Sequence, residues 1–394
     1  MPKLEFHFST QDRQLIEICE LFWEIDDEFG FVYRVSDIAA QFGLRNRDIS
    51  KIVGTYCQAH SPGEMCIQCG QPAFYTSRSD FQQKTRWRGG AKQWICAGCE
   101  RSVREERARE YERQQLEELE KKRTILRDAF DLEYTITLDP KVLSLEDAIY
   151  LISFVRLGAS EDFEVVEPIL TLPGILAPTP KLTYEILKRL IALRIIIPHP
   201  ASVPDAFNFE DDRIKSYHLD RVKWGLVFGA DLDQKKKTIQ AVETILKSSE
   251  WPDEWQNQRQ TLWKKVALEE CLAYLNVCMT EHKFSFNPGD KTYLVLDSAL
   301  EDFSIAQVYN LVWAATRDAA AYQVREGVSR NHAANMVIGS IQRKAERALA
   351  EGWQVKAYRR DFRCPQSAVT SVLFNLVLQI GEAAFGVPPR TRDS

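Results

Sequence analysis

The chain of 394 residues is longer than the roughly 250–300 residues over which a single hydrophobic core usually grows, so its length predicts about two to four domains. Hydrophobic residues make up 45% and charged residues 27% of the sequence, which excludes an intrinsically disordered chain. The formal net charge of −5 at pH 7 excludes a uniformly basic nucleic-acid-binding protein, so such a function has to depend on local patches.

The ends of the chain carry no pattern of a secretory or membrane segment. Residues 1–8 lack a basic stretch followed by an apolar one. The apolar stretch 368–387 contains Asn375 and Glu382, so it predicts a buried helix rather than a membrane span. Five of the nine cysteines are scattered singly, which is typical of reduced thiols. We therefore expect a cytoplasmic protein with no membrane association.

Residues 1–60 show the pattern of three short helices. After a first amphipathic segment, the apolar positions within 35–53 again recur at helical spacing. Gly43 permits a tight turn there, and Ile49 and Ile52 can seat the following helix on the preceding one. This pattern resembles the helix-turn-helix class, and it predicts a helix-turn-helix domain.

The second helix of this pair carries polar and basic residues opposite its apolar face. They are Arg45, Asn46, Arg47, Ser50 and Lys51. In helix-turn-helix proteins the N-terminal part of this helix contacts base edges and phosphates, so the resemblance implies that these residues bind DNA. The surroundings are acidic, with Glu24, Asp37 and Asp48 among them. The alternative is a helix-turn-helix that contacts proteins or is purely structural.

Two C-x-x-C motifs predict a metal site. Two residues between thiolates let one tight turn aim both sulfurs at a single ion, and two such turns complete a tetrahedron with bonds of about 2.3 Å. The pattern resembles the zinc-ribbon class, which implies a ribbon over residues 61–100. The predicted zinc ligands are Cys66, Cys69, Cys96 and Cys99. Cys57 and His60 rank second as substitute ligands, and four sulfurs leave no open position for catalysis.

The segment between the two motifs combines basic and aromatic residues. Cations neutralise phosphates and aromatic rings stack on bases, so this segment predicts a nucleic-acid contact. Its predicted contact residues are Lys84, Arg86, Trp87, Arg88 and Lys92. Glycine and proline breakers favour a small β-rich fold in which Trp94 and Ile95 form a strand. The alternative is a solvated loop with Trp87 packed on the domain.

The remaining chain predicts three further parts. Residues 101–138 contain a long charged connector helix, because residues 101–130 lack glycine and proline and carry one apolar stripe. Residues 139–230 predict a helical domain that could be winged-helix-like, since two short strands follow a helix. Residues 231–394 predict an α+β C-terminal domain with strands at Tyr293–Leu296 and Trp353–Tyr358.

Catalytic motifs are absent from the sequence. It contains no Walker loop, G-x-S-x-G or H-E-x-x-H pattern, and its six histidines fall singly. Asp297, the 210–212 segment and the 301–302 pair are acidic groups that could bind magnesium. A basic cluster at 356–363 could hold an acidic partner or a nucleic-acid backbone, or it could protect an exposed strand edge.

Together these patterns predict a multidomain, mainly α protein with small β elements that binds zinc and DNA. Its predicted role is regulation, genome maintenance or defence, with the C-terminal half binding a protein partner or sensing a signal. One alternative is a non-catalytic interaction component of a multi-protein defence or mobile-element complex. A second alternative is a metal-dependent nuclease with an unrecognised site, although the missing motifs favour a protein that is not an enzyme.

Overall fold

A computed structural model describes residues 4–26, 30–86, 95–132, 135–248 and 251–389, without the side chains of residues 63, 64 and 84–86. The described chain is mainly helical with small sheets, which confirms the coarse fold class. It divides into two compact units, Met1–Glu118 and Leu119–Ser394. The finer division into five parts stays a prediction. Among the described residues, no helix is both long and apolar enough to cross a membrane.

The N-terminal unit combines short helices with one antiparallel sheet. Its elements are β1 (Glu5–Phe8), α1 (Arg13–Trp23), α2 (Val35–Gln41), α3 (Asn46–Tyr56), β2 (Cys57–Met65), β3 (Pro72–Tyr75) and α4 (Arg78–Arg86). The three strands lie in the order β1-β2-β3. The long helix α5 spans Ala97–Ala129, so the predicted charged helix is present and begins at Ala97 rather than at residue 101.

The first three helices of this unit surround one apolar core. The side chain of Asp12 accepts hydrogen bonds from the backbone N–H groups of Gln14 and Leu15, which starts α1. Gly43, with a φ of +66°, takes the left-handed conformation between α2 and α3. The buried residues of the three helices are Ile18, Cys19, Phe22, Trp23, Ile38, Ala39, Ile49 and Val53. The helix α3 therefore has one buried face and one face in solvent.

Residues 78–86 form the helix α4, so the prediction of a β-rich loop is wrong there. Phe81 anchors this helix, because its ring is buried and packs edge-on against Tyr75 at a centroid distance of 5.0 Å. The hydroxyl oxygen of Ser77 accepts a hydrogen bond from the backbone N–H of Asp80 at 3.1 Å. One buried aromatic residue and a capped N-terminus thus stabilise this helix, although the apolar residues of the segment do not recur at helical spacing.

The C-terminal unit contains eight helices labelled here and two small sheets. Its helices are α6 (Leu145–Gly158), α7 (Pro180–Ala192), α8 (Leu232–Lys247), α9 (Asp253–Glu281), α10 (Asp290–Asp302), α11 (Ile305–Glu326), α12 (Arg330–Ala350) and α13 (Ala368–Val372). Its strands are β4 (Val165–Val166), β5 (Ile196–Pro198), β6 (Phe207–Glu210), β7 (Arg213–Tyr217) and β8 (Trp224–Leu226). One sheet has the order β4-β8-β5, and β6 with β7 forms a hairpin. Short 3₁₀ turns lie at Ile169–Thr171, Pro204–Ala206 and Gly381–Gly386.

The helix α9 runs through the centre of the C-terminal unit and packs against α6, α10 and α11. Its buried side chains point in all directions, from Trp255 near its start to Met279 near its end. Two of its buried residues, Glu269 and Glu270, are acidic. A carboxylate placed in such a core needs hydrogen bonds or a counter-charge.

Three predicted elements of this unit differ from the observed ones. Tyr293–Leu296 belongs to the helix α10, because a short apolar run fits a strand and a buried helix equally well. Trp353–Tyr358 forms no strand; Tyr358 N–H donates instead to the carbonyl oxygen of Ala306 at 2.9 Å. The predicted buried helix after residue 368 is interrupted, since α13 ends at Val372 and a π-helical turn, Leu373–Val377, follows.

Candidate metal centre

The structure brings the four cysteines of the C-x-x-C motifs together. The sulfur atoms of Cys66, Cys69, Cys96 and Cys99 all lie within 4.8 Å of one another. The sulfurs of Cys69 and Cys96 are 3.7 Å apart. A tetrahedral ion with metal–sulfur bonds of about 2.3 Å has sulfur–sulfur edges of about 3.8 Å, so this spacing fits one four-coordinate metal ion.

The first motif forms the tip of the β2–β3 hairpin. Cys66 follows the last residue of β2, and its backbone N–H donates to the carbonyl oxygen of Gln71 at 2.8 Å. Gly70 N–H donates back to the carbonyl oxygen of Cys66 at 2.8 Å, and the φ of Gly70 is +69°. This left-handed glycine closes the turn that aims the sulfurs of Cys66 and Cys69 at the same point.

The second motif lies at the start of the helix α5, which differs from the two β knuckles of a zinc ribbon. Cys96 immediately precedes the helix, and its carbonyl oxygen accepts the N–H of Glu100 at 2.9 Å. The sulfur of Cys66 accepts the N–H of Cys96 at 3.3 Å, and the sulfur of Cys96 accepts the N–H of Cys99 at 3.4 Å. The unpaired N–H groups of a helix N-terminus stabilise thiolates, so this position favours metal-ligating sulfur.

The charges of the four-cysteine cluster favour binding of a cation. The N–H of Cys96 holds the pKa of the Cys66 thiol down at about 6. The side chains of Cys96 and Cys69 raise the pKa of Cys99 to about 12 through hydrogen bonds. Four crowded thiols cannot all ionise by themselves, whereas a bound dication offsets half of the charge of four thiolates and stabilises their deprotonated form. The donor set therefore fits a thiophilic metal ion held by four deprotonated cysteines.

The two substitute ligands proposed from the sequence lie elsewhere. Cys57 is buried against Cys19, and the hydrogen bond between the two thiols raises the pKa of Cys57 and lowers that of Cys19. The Nε2 atom of His60 lies 3.3 Å from the carboxylate of Glu5. Neither Cys57 nor His60 belongs to the four-sulfur group.

The residues predicted to contact DNA on α3 share its solvent face. All of them are exposed: Arg45, Asn46, Arg47, Ser50 and Lys51. Asp48 is their acidic neighbour, with a carboxylate 2.9 Å from Nε of Arg45 and 3.8 Å from Nε of Arg47. The hydrogen bond from Arg45 is the largest of the contacts that lower the pKa of Asp48. These ion pairs reduce the positive potential of the face.

The predicted contact residues of the intervening segment are only partly described. Lys84 and Arg86 lie on α4, and their side chains are outside the described atoms. Trp87, Arg88 and Lys92 lie outside the described residues. Whether these five contact nucleic acid stays a prediction.

Arg78, at the start of the same basic segment, has a structural role. Its Nε atom donates to the carbonyl oxygen of Phe22 and its Nη1 atom to that of Tyr33, each at 2.7 Å. Its guanidinium lies 4.4 Å from the ring centroids of both Phe22 and Phe31. Burial lowers its pKa to about 10. The sequence does not distinguish this partly buried arginine from the solvated ones, because its carbonyl and ring partners are distant in the chain.

Four of the acidic residues considered for magnesium, Glu210, Asp212, Asp297 and Glu301, have cationic partners. Asp297 lies within α10 rather than after a strand, and both it and Glu301 pair with Lys264. Asp212 pairs with Lys121 at 2.6 Å. Among the described residues, the four cysteines form the one group of three or more metal-ligating side chains close enough to share an ion.

Comparison with known proteins assigns no function to the chain. No family model, curated protein or solved structure matches the chain. The function therefore has to be argued from the four-sulfur cluster, the exposed face of α3 and the chemistry of these groups.

Proposed function

We propose that the protein is a zinc-containing DNA-binding protein whose N-terminal unit contacts the duplex with the exposed face of α3. The observation that carries the proposal is the position of Arg45 at the N-cap of α3 and of Arg47 and Lys51 in its first turns. All three are exposed, while Ile49 and Val53 of the same helix are buried. This arrangement of α2, turn and α3 supports a helix-turn-helix. The proposed role is regulatory, genome-maintaining or defensive, with the C-terminal unit binding a protein partner or sensing a signal.

Zinc is the ion that best suits the four-cysteine cluster. Thiolate ligands in a closed tetrahedral set are typical of structural zinc sites. The ligands would be Cys66 and Cys69 at the hairpin tip and Cys96 and Cys99 at the start of α5. The helix α3 ends at Tyr56 and β2 begins at Cys57, so a metal that fixes the hairpin also fixes the direction in which α3 presents its basic face.

Binding of a duplex by this face is expected to be weak in the absence of further contacts. Arg45 and Arg47 share the carboxylate of Asp48, so Lys51 is the basic group of the face that has no ion pair among the described residues. A phosphate can displace an exposed carboxylate from an arginine, since surface ion pairs contribute little free energy. The predicted contacts of Lys84, Arg86 and Arg88 would then add to the affinity.

Replacing Arg45, Arg47 and Lys51 together by alanine is expected to abolish duplex binding. For the unsubstituted protein the logarithm of affinity should fall with the logarithm of salt concentration with a slope of about −0.9 for each phosphate contact. Fluorescence anisotropy at about 50 mM salt measures both effects. Arg13→Ala is the matched control, because Arg13 is an exposed basic residue of α1 on the same unit. Wild-type binding by the triple variant would contradict the proposal.

Replacing Asp48 by asparagine is expected to tighten DNA binding several-fold at low salt. The substitution removes a carboxylate that repels phosphate and releases Arg45 and Arg47 from their ion pairs. The gain should shrink at high salt, where surface charges are screened. Glu17→Gln, at an exposed position of α1, is the control for the same change of net charge. Equal gains in both variants would assign the effect to overall charge and not to this face.

A further inference from the structure

A cavity of about 560 Å³ lies within the C-terminal unit, at the start of α7, the middle of α9 and the start of α10. Its volume is within the range of about 300–1,000 Å³ that is typical of small-molecule sites. The wall is mainly apolar and includes Pro178, Leu272, Val277, Phe286 and Pro288. Such a wall suits an apolar ligand, but it does not by itself select one.

Glu269 is the acidic group of this wall that has no salt-bridge partner among the described residues. Glu269 is only 7% exposed. The hydroxyl of Thr179, at the start of α7, donates to its Oε2 atom. Among the described residues no cationic side chain forms an ion pair with it. Burial raises the pKa of this carboxyl, because desolvation disfavours its charged form.

The other charged groups around the cavity have partners of their own. The Nζ atom of Lys181 donates to the hydroxyl of Tyr293 at 3.2 Å and lies 4.3 Å from its ring centroid. The guanidinium of Arg363 pairs with Asp361 at 2.8 Å. Glu270, next to Glu269 in sequence, pairs with the partly buried Arg360 at 2.6 Å. Lys181 and Lys265 lower the pKa of Glu269 electrostatically, against the effect of burial, but neither forms a direct ion pair with it. A ligand can therefore supply the direct ion pair that Glu269 does not form within the described residues.

We propose that this cavity binds a small molecule with an apolar, aromatic body and a protonated amine that donates a hydrogen bond to Glu269. The amine supplies a direct ion pair and a second hydrogen-bond donor beside the hydroxyl of Thr179. The rings of Phe286 and Tyr293 offer faces for the body of the ligand. A charge-assisted hydrogen bond in a desolvated site is stronger than a neutral one, so the amine is the group that determines selectivity.

Three probes of matched shape test this selectivity on the full-length protein by isothermal titration calorimetry. They are phenethylamine, 3-phenylpropionate and 2-phenylethanol, which differ in charge but share one aromatic body. Phenethylamine is expected to bind saturably and at least about tenfold more tightly than the other two. Absence of saturable binding by phenethylamine, or equal binding of all three probes, would overturn the proposal.

Variants connect the binding to the cavity. Glu269→Gln keeps the shape of the side chain and an acceptor for Thr179, and it is expected to weaken phenethylamine binding by about tenfold or more. Ala273→Trp retains the carboxylate but fills the cavity, so it should abolish binding of every probe. Glu254→Gln, exposed on the same helix, should leave binding unchanged. Circular dichroism verifies folding, and unaltered phenethylamine binding in folded Glu269→Gln or Ala273→Trp protein would refute the site.

Discussion

Replacing Cys66 by serine is expected to release the metal and unfold the part of the N-terminal unit that the metal holds. In small zinc-finger peptides, zinc binding provides about 10–16 kcal/mol, most of the folding free energy. Here the unit also has an apolar core around α1, α2 and α3, which does not include the hairpin tip. The expected loss of structure is therefore local, at the 66–71 turn and the start of α5, while the C-terminal unit stays folded.

Elemental analysis and hydrogen exchange measure this outcome. The unsubstituted protein should contain one zinc per chain, and Cys66→Ser should contain none. Amide exchange should accelerate near residues 61–75 and 96–105 and remain slow in α9. Cys278→Ser is the matched control, because Cys278 is a buried cysteine of the C-terminal unit outside the sulfur cluster. Purified protein without any thiophilic metal would contradict the assignment.

The metal cluster could be predicted from the sequence because its geometry is largely local. A C-x-x-C spacing places two sulfurs on one turn whatever fold surrounds it. The backbone around the second pair could not be predicted in the same way. The breakers Gly89 and Gly90 favour a loop before this pair, yet residues from Ala97 onward are helical. The propensity of a short segment is a weak guide when a long helix follows it.

Contacts between residues far apart in sequence account for most of the remaining differences between the predicted and the observed structure. Nothing in the sequence around Arg78 distinguishes it from a solvated arginine, but its partners are Phe22 in α1 and Tyr33 in the segment between α1 and α2. Tyr293 belongs to an apolar run that fits a strand, but the spacing of the buried residues Thr292 and Leu296 places it on a helix. The pattern of apolar residues in one sequence indicates the period of a helix or strand. It does not indicate which residues, distant in the chain, contact that element.

The basic cluster at 356–363 is the clearest example of this limit. Its sequence predicts a surface for an acidic partner or a protected strand edge. In the structure Arg360 pairs with the buried Glu270, and Arg363 pairs with Asp361 and Glu281. Lys356 and Arg359 are exposed. Arg360 and Arg363 thus form ion pairs within the protein. Any basic surface of this segment is therefore formed by Lys356 and Arg359.

Replacing Arg360 by methionine is expected to destabilise the C-terminal unit by about 3–5 kcal/mol, because removing one partner of a buried ion pair leaves the other charge uncompensated. Glu270 is only 1% exposed, and its remaining hydrogen bond comes from the hydroxyl of Thr370 at 2.6 Å. Methionine keeps an apolar side chain of similar length, although it lacks the guanidinium whose Cζ atom lies 4.6 Å from the ring centroid of Phe385. The double variant Glu270→Gln and Arg360→Met should recover most of the loss, since neither charge is then buried. Urea unfolding measures each difference.

The loss of stability in Arg360→Met should depend on pH, and the direction of this dependence follows from the burial of Glu270. Desolvation raises the pKa of Glu270 above its value in the unfolded chain, and Arg360 opposes this shift. Without the guanidinium the pKa in the folded state rises further. The folded protein then binds more protons than the unfolded chain between the two pKa values, so stability falls as pH rises through this interval. The deficit of Arg360→Met is therefore largest at neutral pH and decreases as the pH approaches the unfolded value of about 4.3.

Arg359→Met is the control for this experiment, because Arg359 is an exposed neighbour in the same segment. It should change the free energy of unfolding by no more than about 0.5 kcal/mol, which is the usual range for surface substitutions. An equally small effect of Arg360→Met at neutral pH would show that water or backbone rearrangement compensates Glu270. A deficit that grows as the pH falls would mean instead that Glu270 has a lowered pKa in the folded protein. In either case the view that Arg360 serves to neutralise a buried carboxylate would be wrong.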